Sequence, residues 1–146
     1  MFTARSTDFD DGATVPQRFT CDGRDAAPQI LVGNPPEGTR SFAVTMIDPD
    51  APKGDFTHWL VYDIPPGGEE LVVGRGKTLK NSFGRIGYGG PCPPPGDGAH
   101  RYVFTVYAVD VPTLSLRAGE RAELEHALQA HTLATAQFTG RYAREK

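Results

Sequence analysis

The sequence predicts a mainly β fold: a single-domain, antiparallel β-sandwich-like arrangement with peripheral helices near the C-terminus. Three observations predict it. Residues 41–48, 58–64 and 101–109 are runs of strand length, rich in β-branched and aromatic side chains. The stretches between them are dense in Gly, Pro, Asp and Asn, the residues that punctuate chains into turns. Only residues 120–132 place apolar side chains at helical spacing. Several strands with turn signals and one late helix define a β domain with helical decoration.

Taken in order, residues 1–28 are turn and edge material, with Asp-Gly pairs at 11–12 and 22–23 and a short strand expected at 17–20. A second short apolar run, 29–32, is closed by the turn cluster GNPPEG. In SFAVTMID, 41–48, Phe42, Val44 and Met46 share one face, and Asp48 ends it. The loop DPDAPKGDF leads into HWLVYDI, 58–64; PPGGEE breaks that strand, and LVV at 71–73 is expected as a minor edge. From 84 to 98 nearly every second residue is Gly or Pro, so no regular element runs through the segment. RYVFTVYAV then reads as a strand buried on both faces. In the helix, Leu124, Ala127, Leu128 and His131 form one stripe, with His131 expected as a packed or boundary residue rather than a ligand. ATAQFTGRY supplies a last strand.

A chain of 146 residues can bury one real core, and no repeat, low-complexity tract or linker divides it. The net charge of −3, with Lys and Arg scattered, argues against a nucleic-acid binder. No run approaches the length of a membrane span, and the N-terminus lacks a signal-peptide core, so the expected compartment is the cytoplasm. Cys21 and Cys92 form neither a zinc framework nor a disulfide scaffold. Both are expected to be reduced, with a single bridge left open.

If 41–48 and 58–64 pair antiparallel, Asp48 and His58 share one rim of the sheet, with Asp50 in the loop between them. If the strand from Arg101 starts at the same rim, His100 and Tyr102 join them beside a stiff Gly- and Pro-rich loop. For either Asp alone, capping an Asp-Pro turn is the simpler reading; for the whole cluster it is not. Three chemistries compete. Hydrolysis needs a nucleophile beside its base, and no G-x-S-x-G is present, while Cys92 has Gly and Pro neighbours rather than an activating cation. A metal site could use His58, His100 and a carboxylate, but the spacings match no ligand motif. Binding of phosphate or a similar anion uses the donors best. The carboxylates fit if they fix the histidine tautomers or accept from a protonated phosphate or an ammonium group. Monoprotonated phosphate or a zwitterion is therefore expected over a bare dianion.

The segments RFTCDG, PEGT, DPDAP, HWLVYDIP, NSFGRIGYGGPCPP, HRYVFTVYAVD and TGRYAR resemble, in this order and over almost the whole chain, the phosphatidylethanolamine-binding proteins, specifically their bacterial Raf-kinase-inhibitor-like branch. The resemblance implies an antiparallel β-sandwich-like fold and a small anion pocket at one end of the sheets. By motif it assigns Asp48 and Asp50 from DPDAP, His58 from HW, Gly90 and Pro91 from GP, and His100 and Tyr102 from HRY. It also implies phosphate-like ligands such as phospholipid headgroups, no cofactor, and a cis peptide at Ala51–Pro52. Eukaryotic relatives restrain protein kinases, and some inhibit a serine carboxypeptidase, so a kinase or protease partner is one implication. The alternative is a hydrolase or metal-dependent enzyme using the same Asp/His cluster. One departure is APQILV, with Ala27 and Val32 where relatives carry Ser and Trp. It leaves Trp59 as the single tryptophan and bears on specificity rather than fold.

Overall fold

The structure is a computed structural model and describes residues 1–145. Its main sheet has five antiparallel strands in the order β5-β4-β3-β6-β7. These are β3 (Ser41–Asp48), β4 (Phe56–Ile64), β5 (Lys77–Thr78), β6 (His100–Val109) and β7 (Thr132–Tyr142). A two-stranded sheet pairs β1 (Thr3–Arg5) with β2 (Leu31–Gly33). One helix, α1 (Arg121–His131), precedes the last strand. Where the sequence predicts a strand at 17–20, Gln17–Phe19 form a 3-10 turn instead. Pro16 precedes it, and Phe19 and Thr20 bond back to Pro16 and Gln17, which is turn chemistry, not ladder pairing. The expected edge at 71–73 shrinks to an antiparallel bridge between Glu70 and Leu31, with Leu71 N–H bonded to Ile30 O, before Val73–Arg75 form a second 3-10 turn and β5 follows.

β3 lies between β4 and β6, and its even-numbered residues face the larger core. Phe42, Val44 and Met46 meet Phe104, Val106 and Ala108 of β6 there, together with Trp59, Val61 and Phe138. The opposite face is shared by Ala43, Leu60, Tyr62 and Val109 with Leu124 and Leu128 of α1. The helix therefore covers the sheet through the two leucines of its stripe. His131 sits at the stripe's end, half exposed, with Nδ1 2.9 Å from Asp110, so of the packed and boundary positions left open it takes the boundary one.

Two irregularities interrupt the β3–β4 ladder. Met46 pairs with Trp59, but Ile47 pairs with Thr57, leaving His58 as an extra residue. A β-bulge of this kind turns two successive side chains towards one side of the sheet. A second shift lies between the Val61 and Ile64 pairings, where Asp63 takes φ 57.

Candidate functional site

The end of β3 and the starts of β4 and β6 meet at one rim because β3 runs antiparallel to both neighbours. A cavity of about 190 Å³ opens there, lined by Asp48, His58, His100 and Tyr102, by Phe56 and Phe83, and by loop residues 51–52 and 92–94. Alternation accounts for most of this: Asp48 ends the core face of β3, and His100 and Tyr102 begin that of β6. His58 requires the bulge. Strict alternation from the core residue Trp59 would send it to the other face, and the extra residue returns it to the cavity.

The two histidines are held in opposite electrostatic states. His58 is 3% exposed, and its Nδ1 donates to the Gly89 carbonyl at 2.6 Å. Burial pushes its pKa below the usual histidine value, against the pull of the Gly89 carbonyl and Asp48. The neutral ring, with its proton on Nδ1, therefore leaves Nε2 as an acceptor. His100 is equally buried but flanked by carboxylates, with Nδ1 2.7 Å from Asp48 Oδ2 and Nε2 2.5 Å from Asp97 Oδ2. Burial lowers its pKa, but the hydrogen bonds it donates to Asp97 and then Asp48 outweigh that, and the net shift is upward. With a carboxylate acceptor on each nitrogen, both must carry a hydrogen, which makes the ring an imidazolium.

Tyr102 is fully buried, and its phenol oxygen has no hydrogen-bond partner among the described residues. Burial, then the Asp48 and Asp50 charges, push its pKa far up, so the O–H stays intact as a donor. Its ring packs edge-on against His58 at 5.1 Å between centroids. Asp48 serves two roles at once. Its Oδ2 meets His100, and its Oδ1 accepts the Asp50 amide at 2.7 Å, closing the Asp-Pro turn.

Of the seven residues singled out from the sequence, Asp48, His58, His100 and Tyr102 line the cavity; Asp50, Gly90 and Pro91 do not. Asp50 turns away to a bidentate pair with Arg101, at 2.9 and 2.8 Å, and accepts the Arg101 amide as well. Those hydrogen bonds hold its carboxyl at about 2. Gly90 lies behind the wall: its N–H donates to Asp25 at 2.7 Å, and a Cβ would collide with the Phe19 carbonyl. The Pro91 carbonyl accepts the Cys21 amide at 3.1 Å.

That contact bears on the cysteines. Cys21 and Cys92, expected as free thiols, instead form a disulfide across 71 residues. The loop 88–92 packs on 19–25 through Tyr88, Gly90 and Pro91 and brings the sulfurs together, which spacing alone does not reveal. A second correction is Ala51–Pro52, which is trans; the described residues contain no cis peptide. Three further residues of the site, Asp97 and the aromatic walls Phe56 and Phe83, were not expected from the sequence. Asp97 had a signal, being the acidic residue of the PPPGDGAH segment that leads into the strand. Among the described residues no group of three His, Cys, Asp or Glu side chains is arranged to hold a metal ion. No helix among them is long and apolar enough to cross a membrane.

A two-sheet antiparallel β domain with a small, acid- and histidine-lined cavity at one end of its main sheet is the class that fold and site define. Residues 5–143 match the phosphatidylethanolamine-binding protein family, and the chain belongs to it. A UPF0098 protein of Aquifex aeolicus is 46% identical over 149 residues, covering 96% of this chain and 87% of its own. One from Pyrococcus abyssi is 40% identical over 151 residues, covering 96% and 84%. The crystal structure of Escherichia coli YbcL, described as a member of the mammalian family, superposes with a TM-score of 0.89 at 31% identity over 99% of both chains. A phosphatidylethanolamine-binding protein homologue from Chlamydia trachomatis gives 0.89 at 33% identity, covering 99% and 98%.

Proposed function

We propose that this protein binds phosphate-type groups, free or carried on a phospholipid headgroup, in the cavity at the end of β3 and the start of β6, without chemical turnover. The observation that carries the reading is the Tyr102 hydroxyl, a buried donor without a partner among the described residues, in a cavity whose other polar members are Asp48 and two histidines with pKa values shifted in opposite directions. A buried polar group of this kind calls for a partner. An anion oxygen can take the Tyr102 hydrogen and, by displacing the exposed Asp97 carboxylate, the His100 Nε2 hydrogen. A protonated phosphate oxygen or an ammonium group can donate to His58 Nε2. The apolar walls Phe56 and Phe83 and the prolines of the loop seat whatever the phosphate is attached to.

The same donor and acceptor count favours a ligand that brings a proton. With His58 neutral and Asp48 beside His100, a fully deprotonated phosphate meets an acceptor where it needs a donor. Calorimetric titration with inorganic phosphate across roughly pH 5 to 8, the histidine range, tests this. Affinity is expected to fall as the pH rises through that range; affinity that climbs steadily refutes the assignment of His58 as acceptor. Absence of phosphate binding at every pH refutes the pocket itself.

A further inference from the structure

His100 touches two carboxylates, and the two contacts differ in kind. Asp48 is sealed, with 4% of its side chain exposed, and is fixed again by the Asp50 amide. Asp97 reaches Nε2 from an exposed turn, with 43% of its side chain open to solvent. It lies between Gly96 and Gly98, both at positive φ, 81 and 82. Glycine takes that conformation without strain and leaves the residue between free to re-aim. The turn itself is held by backbone bonds, Asp97 N–H to Pro94 O at 3.1 Å and Gly96 N–H to Arg144 O at 2.9 Å. The Asp97 side chain takes no part in either, so it can swing out while the turn stays formed.

A carboxylate and a phosphate offer an imidazolium N–H the same thing, an anionic oxygen at short range. We propose that the Asp97 carboxylate is a tethered competitor for the anion: it covers His100 Nε2 in the unliganded protein, and a phosphate group reaches that nitrogen only by displacing it. The inference rests on the anion-pocket reading. Its consequence is arithmetic. Apparent affinity is the intrinsic affinity multiplied by the fraction of molecules in which Nε2 is uncovered. A hydrogen bond between charged groups is strong enough to keep that fraction down by about ten- to hundredfold. Asp97 thereby becomes a specificity-determining residue. A small bare anion has little beyond Tyr102 to offset the competition, whereas a phosphate on a group that fills the space beside Phe56 and Phe83 gains contacts Asp97 cannot match.

The test is calorimetry of the wild type, Asp97→Ala and Asp97→Asn with inorganic phosphate and with phosphoethanolamine, after a thermal melt shows each protein folded. Asp97→Ala is expected to tighten both ligands by about ten- to hundredfold. Asp97→Asn should tighten them less, since the amide oxygen still accepts from Nε2. In a His100→Gln background the gain should vanish. Three results overturn the competitor and leave the pocket standing: unchanged or weaker phosphate binding in Asp97→Ala while the wild type binds; a gain that survives His100→Gln, which is general relief of negative charge; and a loss confined to phosphoethanolamine, which makes Asp97 a receptor for the ammonium. Failure of every folded variant to bind either ligand removes the pocket and the competitor together.

Discussion

Replacing Tyr102 with Phe separates what the site contributes to binding from what it contributes to the fold. The ring is fully buried and packs on His58 at 5.1 Å and His100 at 6.5 Å between centroids, contacts that Phe retains. The hydroxyl makes no hydrogen bond to any described residue. A buried hydroxyl that lacks a partner costs the folded state about 1–3 kcal/mol of desolvation. Tyr102→Phe should therefore leave stability unchanged or raise it by up to about 1–3 kcal/mol. Most large-to-smaller changes at a fully buried site do the opposite. In the complex the same hydroxyl faces a charged acceptor, a bond of about 1.5–3 kcal/mol, so phosphate affinity should fall about ten- to hundredfold. Urea unfolding gives the first quantity and calorimetry the second. A loss of more than about 1 kcal/mol of stability would mean the hydroxyl is a structural anchor, and an unchanged dissociation constant would mean it is not part of the site.

Asp50→Asn should leave phosphate affinity unchanged, because Asp50 faces Arg101 rather than the cavity. It should cost no more than about 1 kcal/mol near neutral pH, since both partners are open to screening solvent, at 32% and 51% of their side chains. The Arg101 hydrogen bonds lower the folded pKa from 3.8 to about 2, so Asp50's contribution is present above 3.8 and disappears as the pH falls towards 2. The wild type and variant should converge over that interval in acid titrations of urea stability. Cys21→Ser, or reduction of the wild type, should lower stability by about 4 kcal/mol, the loop-closure value for a 71-residue separation. Urea unfolding in the presence and absence of reductant measures it, and coincident curves would show that the bridge contributes nothing.

Strand placement was legible because the signals are local. Phe42, Val44 and Met46 alternate, the 101–109 run is β-branched and aromatic, and Gly-Pro clusters bound both. The meeting of Asp48, His100 and Tyr102 at one rim followed from antiparallel pairing alone. His58 joins them through a bulge that nothing in HWLVYDI announces, because a bulge is decided by the partner strand's register. What stayed hidden was non-local. The disulfide depends on two turn-rich loops packing against each other, and the diversion of Asp50 depends on the side-chain direction of Arg101. The 3-10 turn at Gln17–Phe19 shows the limit of propensity: three residues after a proline, with no strand beside them, close on themselves.

The arrangement of groups favours holding an anion over breaking a bond. Nucleophilic catalysis needs an oxygen or sulfur beside a base that can take its proton. The Cys92 sulfur at the cavity wall is committed to Cys21, and the remaining polar lining consists of Asp48, the two histidines and Tyr102. General acid–base work by the histidine pair needs two rings whose pKa values straddle the working pH and whose reacting nitrogens are free. Here the shifts diverge in the wrong sense for a shuttle: the ring with an open nitrogen is held neutral by burial, and the ring that carries charge has both nitrogens on carboxylates. For a bound phosphate the same divergence is useful. Once Asp97 gives way, one side of the ligand meets donors, the other meets an acceptor, and no group in the cavity has to change protonation for the complex to form.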